Sequence, residues 1–166
     1  IKREYNDIAL GLYPKLQQQV KNSSDPLKTA SRLAIAGNII DFGIFTSIDI
    51  GKSVDQALRS EIAVDDYDAF MQDLSSAREI LYLLDNAGEI VFDRLLIEEL
   101  RLKGKQVKAV VKGSAVLNDV TYEDAVQVGL DAVCEVIDNG SDAIGTILPW
   151  TSAGFQKEFE QADLII

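Results

Sequence analysis

At 166 residues, 47% of them hydrophobic and 26% charged, the chain has the length and usage of one globular domain able to bury roughly 70% of its unfolded surface, which excludes disordered, collagen-like and coiled-coil chains. A formal charge of −11 and a pI near 4.4 exclude a protein that grips nucleic acid by its phosphates, since that needs clustered Lys and Arg, and they argue against an anionic membrane surface. The absence of histidine removes Ser-His-Asp and Cys-His nucleophile systems and zinc sites built on imidazole.

In chain order, Tyr5, Ile8, Leu12, Leu16 and Val20 recur at helical spacing, and Ser23-Ser24-Asp25-Pro26 supplies caps with a proline early in the next helix. That helix is expected to run to about Ala36 and to break over 36–43, where Asn38 and Asp41 stand polar among apolar neighbours. They are read as lining a pocket at the rim of a sheet, with a local cap at Gly37-Asn38 explaining them nearly as well. Ser53 is expected to cap a helix over 54–58, and Asp65-Asp66 to open one carrying Tyr67, Phe70, Met71 and Leu74.

The pattern changes after Arg78, and so does the charge. Up to Arg78 there are nine basic and eleven acidic residues; beyond it there are seven and sixteen, a balance of −2 and −9. Apolar runs at 80–84, 107–111, 132–137 and 162–166 read as strands, alternating with helices near 90–102, 121–128 and 151–159. This implies βαβ units and a buried parallel sheet: an α/β, Rossmann-like fold flanked by helices, with a helical N-terminal layer. The expected division is a helical subdomain over 1–76 and an α/β core over 77–166.

In open α/β sheets, ligands gather outside the carboxyl ends of the strands. The first strand runs into Asp85-Asn86-Ala87-Gly88-Glu89, where a carboxylate and an amide oxygen are hard ligands suited to Mg²⁺ or Mn²⁺, and Gly88 lets backbone amides approach an anion. An Asx turn capping a helix explains the same residues about equally well. The second strand ends at Val111-Lys112-Gly113 and leads to Asn118-Asp119-Val120-Thr121. Thr121 and Asp124 form a capping arrangement by themselves, leaving Asp119 free to join Asp85 and Asn86 in an oxygen-only site. Lys112 is read as a mobile charge for a phosphate, against the plainer reading of a solvated loop lysine. Asp138-Asn139-Gly140-Ser141, with Gly145 and Thr146, could reach the same rim or form an ordinary turn. Cys134 reads as an inert core residue within its strand, and Trp150 as a packing residue.

The motifs Gly37-Asn38-Ile39-Ile40-Asp41, Asp85-Asn86-Ala87-Gly88-Glu89, Lys112-Gly113 and Asn118-Asp119-Val120-Thr121, in that order and spacing, resemble those of the damage-control phosphatase family, long catalogued as a domain of unknown function, and in particular its archaeal and bacterial branch. The resemblance runs over essentially the whole chain. It implies a metal-dependent phosphatase acting on small phosphorylated metabolites, sugar phosphates among them, with Mn²⁺ or Ni²⁺ first and Co²⁺ or Mg²⁺ also serving. It places metal ligands at Asp85, Asn86 and Asp119, with Glu89 and Lys112 as near neighbours; the same three ligands are the expected catalytic residues, and Gly88, Glu89, Lys112, Asn38 and Asp41 the expected substrate contacts. The family's lysine-glycine segment, which follows the strand ending at Ile166 and helps hold the phosphate, is not in this chain, nor is the N-terminal cysteine pair of some relatives. The core is therefore expected to be incomplete at its C-terminus.

The expected mechanism has one divalent ion polarise a phosphoryl oxygen and orient water for in-line attack, which needs no histidine. An aspartyl nucleophile at Asp85 is the weaker enzyme reading, because such enzymes usually want a second Asp two residues on, where Ala87 stands. A nucleotide or methyl-donor fold would need a glycine-rich first turn, and only Gly88 is offered. The alternative from another class is a non-catalytic module that binds a metal or phosphometabolite. With no apolar run approaching ~18 residues, no basic leader and a single cysteine, the expected setting is cytoplasmic, without membrane or nucleic-acid partners.

Overall fold

The computed structural model describes residues 1–39 and 47–166. Among them, four helices precede the sheet: α1 (Lys2–Lys21), α2 (Pro26–Ile39), α3 (Ser47–Arg59) and α4 (Tyr67–Ser76). Then β1 (Glu79–Leu83), α5 (Glu89–Leu102), β2 (Gln106–Val111), α6 (Tyr122–Gln127), β3 (Glu135–Asp138), α7 (Ala153–Gln161) and β4 (Leu164–Ile165) alternate, with a 3₁₀ turn at Leu148–Trp150 before α7. The strands are all parallel in the order β3-β2-β1-β4, the α/β architecture expected from the alternating apolar runs. The order reverses beside β1, where the chain returns from β3 to pair β4 on its far side. Such a switch point opens a crevice at the carboxyl ends of the strands.

Parallel strands are covered on both faces, and alternation along β1 divides its side chains between two apolar layers. Ile80, Tyr82 and Leu84 join one buried cluster with α5 and α2, while Leu81 packs with Val110 and Phe155 on the other face. Helix α5 is buried nearly all round, with Ile90, Val91, Phe92, Leu95, Ile97 and Leu100 almost inaccessible, because the sheet lies on one side and α1 and α2 on the other. No helix among the described residues is long and apolar enough to cross a membrane.

Four local expectations are corrected. Helix α2 does not break at Gly37-Asn38 but continues to Ile39; the glycine serves helix packing, since a Cβ there would meet Phe92 Cβ at 2.8 Å and Cγ at 2.9 Å. Ser53 lies inside α3, which begins at Ser47. Cys134 falls in a turn before β3, its amide bonded to the Leu130 carbonyl, although it is buried and burial pushes its thiol up to about 11. Trp150 does not pack and is 65% exposed.

The contact at Gly37 generates a test. In an open helix interior Gly→Ala stabilises by about 1 kcal/mol, whereas forcing a methyl into packed space costs about 1–3 kcal/mol. Gly37→Ala is therefore expected to lower the denaturation midpoint, and a raised midpoint would show that α2 and α5 are free to move apart.

Candidate functional site

The turn after β1 and the segment after β2 lie side by side because their strands are parallel neighbours. Two backbone hydrogen bonds tie them: Ala87 N–H donates to the Asn118 carbonyl and Val120 N–H to the Asp85 carbonyl, both at 2.8 Å. Together they make an isolated antiparallel bridge that sets Asn86 opposite Asp119. The segment is folded back by Lys112 N–H, which donates to the Val120 carbonyl at 2.9 Å. The tight turn entering Asp119 places Leu117 at φ 44°, a left-handed conformation that costs a non-glycine residue free energy and is met most often near functional sites.

Asp85 is exposed at the rim, Asn86 half-buried and Asp119 buried. Asn86 Nδ2 donates to Asp85 Oδ2 at 2.7 Å and to Glu89 Oε2 at 3.2 Å. Both contacts engage the amide nitrogen, so the amide oxygen, the atom a hard cation would take, lies on the opposite side of the group. Asp119 Oδ2 has no hydrogen-bond partner among the described residues, although Lys112 Nζ stands 3.3 Å away as an ion pair. Lys112 offsets its charge, and an oxygen that accepts no hydrogen bond keeps a lone pair for a further partner. No group of three or more Asp, Glu or Cys side chains among the described residues stands ready to hold a metal, so a ligand set here needs the Asn86 oxygen. With it, the donors of Asp85, Asn86 and Asp119 are all hard oxygens that fit a divalent ion.

The residues expected at the substrate fall differently. Lys112 is neither solvated nor mobile: it is 5% exposed, paired with Asp119 and bonded to the Gly145 carbonyl. Gly88, expected to let backbone amides approach an anion, donates its own N–H to Asn6 Oδ1 at 2.8 Å. Glu89 accepts from Asn38 Nδ2 at 3.0 Å as well as from Asn86, so Asn38 reaches the site through Glu89. Asp41 lies outside the described residues. The third loop does join the rim, through the Gly145 carbonyl on Lys112 and through buried Asn139, whose Oδ1 accepts from Gly113 N–H at 3.2 Å and Ser141 N–H at 3.0 Å.

Sequence reading passes over three residues. Asn6 is fully buried on α1, one position off the apolar stripe, so spacing alone does not single it out. Lys2 reads as an ordinary charge at a helix start. Asp93 lies one turn after Glu89 on α5, buried, with Tyr82 Oη donating to its Oδ1 at 2.7 Å. The i, i+4 acidic spacing from Glu89 was the visible signal. Burial pushes the Glu89 carboxyl up, against the bonds from Asn38 and Asn86, and Asp85 adds to the rise. Burial also pushes Asp93 well above the carboxylate range, aided by the charge of Glu89.

A carboxyl whose pKa is raised by folding binds more protons in the native state, so its contribution to stability falls as pH climbs from the unfolded value of about 4 to the raised native value. Asp93→Asn keeps an acceptor for Tyr82 and removes the titration. Its stability relative to the unaltered protein is expected to rise with pH above about 4 and then level off in denaturation series; a flat or falling difference would contradict the burial of a titrating Asp93.

Residues 1–166 match the family model of the damage-control phosphatase ARMT1-like domain. A protein of Methanocaldococcus jannaschii is 44% identical over the whole chain, which covers 56% of that protein. A damage-control phosphatase of Archaeoglobus fulgidus is 33% identical over the whole chain and 59% of its own length, and the damage-control phosphatase PH1575 of Pyrococcus horikoshii is 36% identical over 82% of the chain and 48% of its own length. The crystal structure of a DUF89 family protein from P. horikoshii superposes with a TM-score of 0.86 at 32% identity, over 99% of this chain and 57% of that one. The chain thus spans just over half the length of the relatives that match all of it. The parallel sheet, the paired Asx loops and these matches agree: the chain belongs to the damage-control phosphatase ARMT1-like family.

Proposed function

We propose that this chain carries the metal-binding part of a phosphatase that hydrolyses small phosphorylated metabolites, sugar phosphates among them. The observation that supports it most is the backbone bridge that sets Asn86, next to Asp85, opposite Asp119, a buried carboxylate whose Oδ2 has the Lys112 ion pair but no hydrogen bond among the described residues. A divalent ion there, with Mn²⁺ or Ni²⁺ first and Co²⁺ or Mg²⁺ also serving, supplies charge that polarises a phosphoryl oxygen and acidifies a water.

The chain's own residues bind and orient. Asp85, exposed at the rim, is the ligand nearest to solvent and entering substrate. Glu89 and Asn38 fix the Asn86 amide, an outer-layer task that keeps a ligand in one orientation. Lys112 offsets the charge of Asp119 and stands one carboxylate away from a phosphate held at the site. Because Lys112 is taken up by Asp119 and Asp85 adds a further negative charge at the rim, the local field repels a phosphate until a cation is bound. Phosphoryl transfer asks chiefly for positioning and charge stabilisation, so the lack of histidine is no obstacle.

Phosphate release from a panel of sugar phosphates with Mn²⁺ or Ni²⁺ tests this reading. Turnover is expected to fall to background with excess EDTA and in Asp85→Ala. Undiminished turnover in EDTA would overturn metal dependence, and metal binding at Asp85 without turnover on any phosphate ester would favour the non-catalytic module.

A further inference from the structure

The first turns of α1 reach both loops of the site from outside the α/β alternation. Asn6 is fully buried and uses its whole amide: Oδ1 accepts from Gly88 N–H at 2.8 Å, while Nδ2 donates to Asp124 Oδ1 at 3.0 Å and Gln127 Oε1 at 2.9 Å. Gly88 is the N-cap of α5, two residues past Asn86, with φ 86° and no side-chain cap of its own. Its buried amide needs a partner, and α1 supplies one. Asp124 is the capping-box acid of α6, accepting from Thr121 N–H and Oγ1 at 2.8 and 2.9 Å. One turn earlier on α1, Lys2 Nζ lies 2.5 Å from Asp124 Oδ2 and donates to the Asp119 carbonyl at 2.9 Å.

We propose that Asn6, assisted by Lys2, is a positioning residue for the metal centre: one buried amide pins the Asp85-Asn86 turn, and the pair of side chains pins the Asp119 segment, so that α1 sets the separation of the ligands. The proposal rests on the metal reading of Asp85, Asn86 and Asp119. The residue type follows from the network. Only a carboxamide accepts from Gly88 and donates to two oxygens at once, whereas an aspartate there would face Asp124 with a like charge in a buried setting. Asn6 touches neither ligand side chain, so its effect reaches a bound ion only through the spacing of the two loops.

The test is Mn²⁺ affinity, followed by electron paramagnetic resonance of the free ion, on the purified full chain at a temperature where every variant is folded. The unaltered protein is expected to bind and Asp85→Ala to fail. Asn6→Asp is expected to bind about 10- to 100-fold more weakly, the range of outer-layer ligand supports. Adding Asp124→Asn, which restores one donor and one acceptor across the contact, is expected to recover most of that loss. Lys2→Met, at a partly exposed side chain, is expected to weaken binding by about 3- to 10-fold and serves where Asn6 variants do not fold. Unchanged affinity in Asn6→Asp or, failing that, in Lys2→Met would overturn the positioning role while leaving the metal reading intact. A weakened Asn6→Asp that Asp124→Asn does not rescue, with Lys2→Met unaffected, would also overturn it. Failure of the unaltered protein to bind Mn²⁺ would overturn the metal reading and this inference with it.

Discussion

Two backbone hydrogen bonds between the loops that follow β1 and β2, Ala87 to Asn118 and Val120 to Asp85, hold the carboxyl end of the sheet together. The register of the parallel strands brings the loops within reach, but these bonds decide that Asn86 rather than a neighbour stands opposite Asp119. The proposed cation site rests on that pairing. Each carboxylate alone is an ordinary loop acid; the bridge sets the turn that carries Asp85 and Asn86 against the segment that carries Asp119, whose carboxylate pairs with buried Lys112.

Carboxyl groups continue inward along α5. Glu89 and Asp93, one turn apart and both buried, are raised first by desolvation, with the charge of Asp85 adding to Glu89 and the charge of Glu89 adding to Asp93. Among the described residues, their hydrogen bonds come from neutral donors, Asn38, Asn86 and Tyr82. Neutral donors orient carboxyl groups without cancelling their field. The packing beneath is correspondingly tight: α2 approaches α5 so closely at Gly37 that no side chain fits against Phe92.

Much of this was legible in the sequence where the signal is local. The strand, tight turn and helix around Asp85 to Glu89, the capping box of Thr121 and Asp124 and the sheet's alternating runs depend on neighbours a few residues apart. What was hidden depends on partners far along the chain. Lys112 looks like a solvated loop lysine until the 145 loop folds over it. Gly37 reads as a helix breaker because nothing local shows Phe92 waiting opposite. Asn6 is a polar residue in an amphipathic helix, and its partners at Gly88 and Asp124 lie 82 and 118 residues away. The Gly88 amide likewise finds its acceptor far along the chain, at Asn6 of α1.

Asp85, Asn86 and Asp119 are proposed to form one cation site across two loops. The direct measurement is a crystal of the protein soaked with Mn²⁺ and recorded at the manganese absorption edge. An anomalous peak bounded by the Asp85 carboxylate, the Asn86 amide oxygen and the Asp119 carboxylate is the predicted result. Manganese density elsewhere, with Lys112 still paired to Asp119, would contradict it.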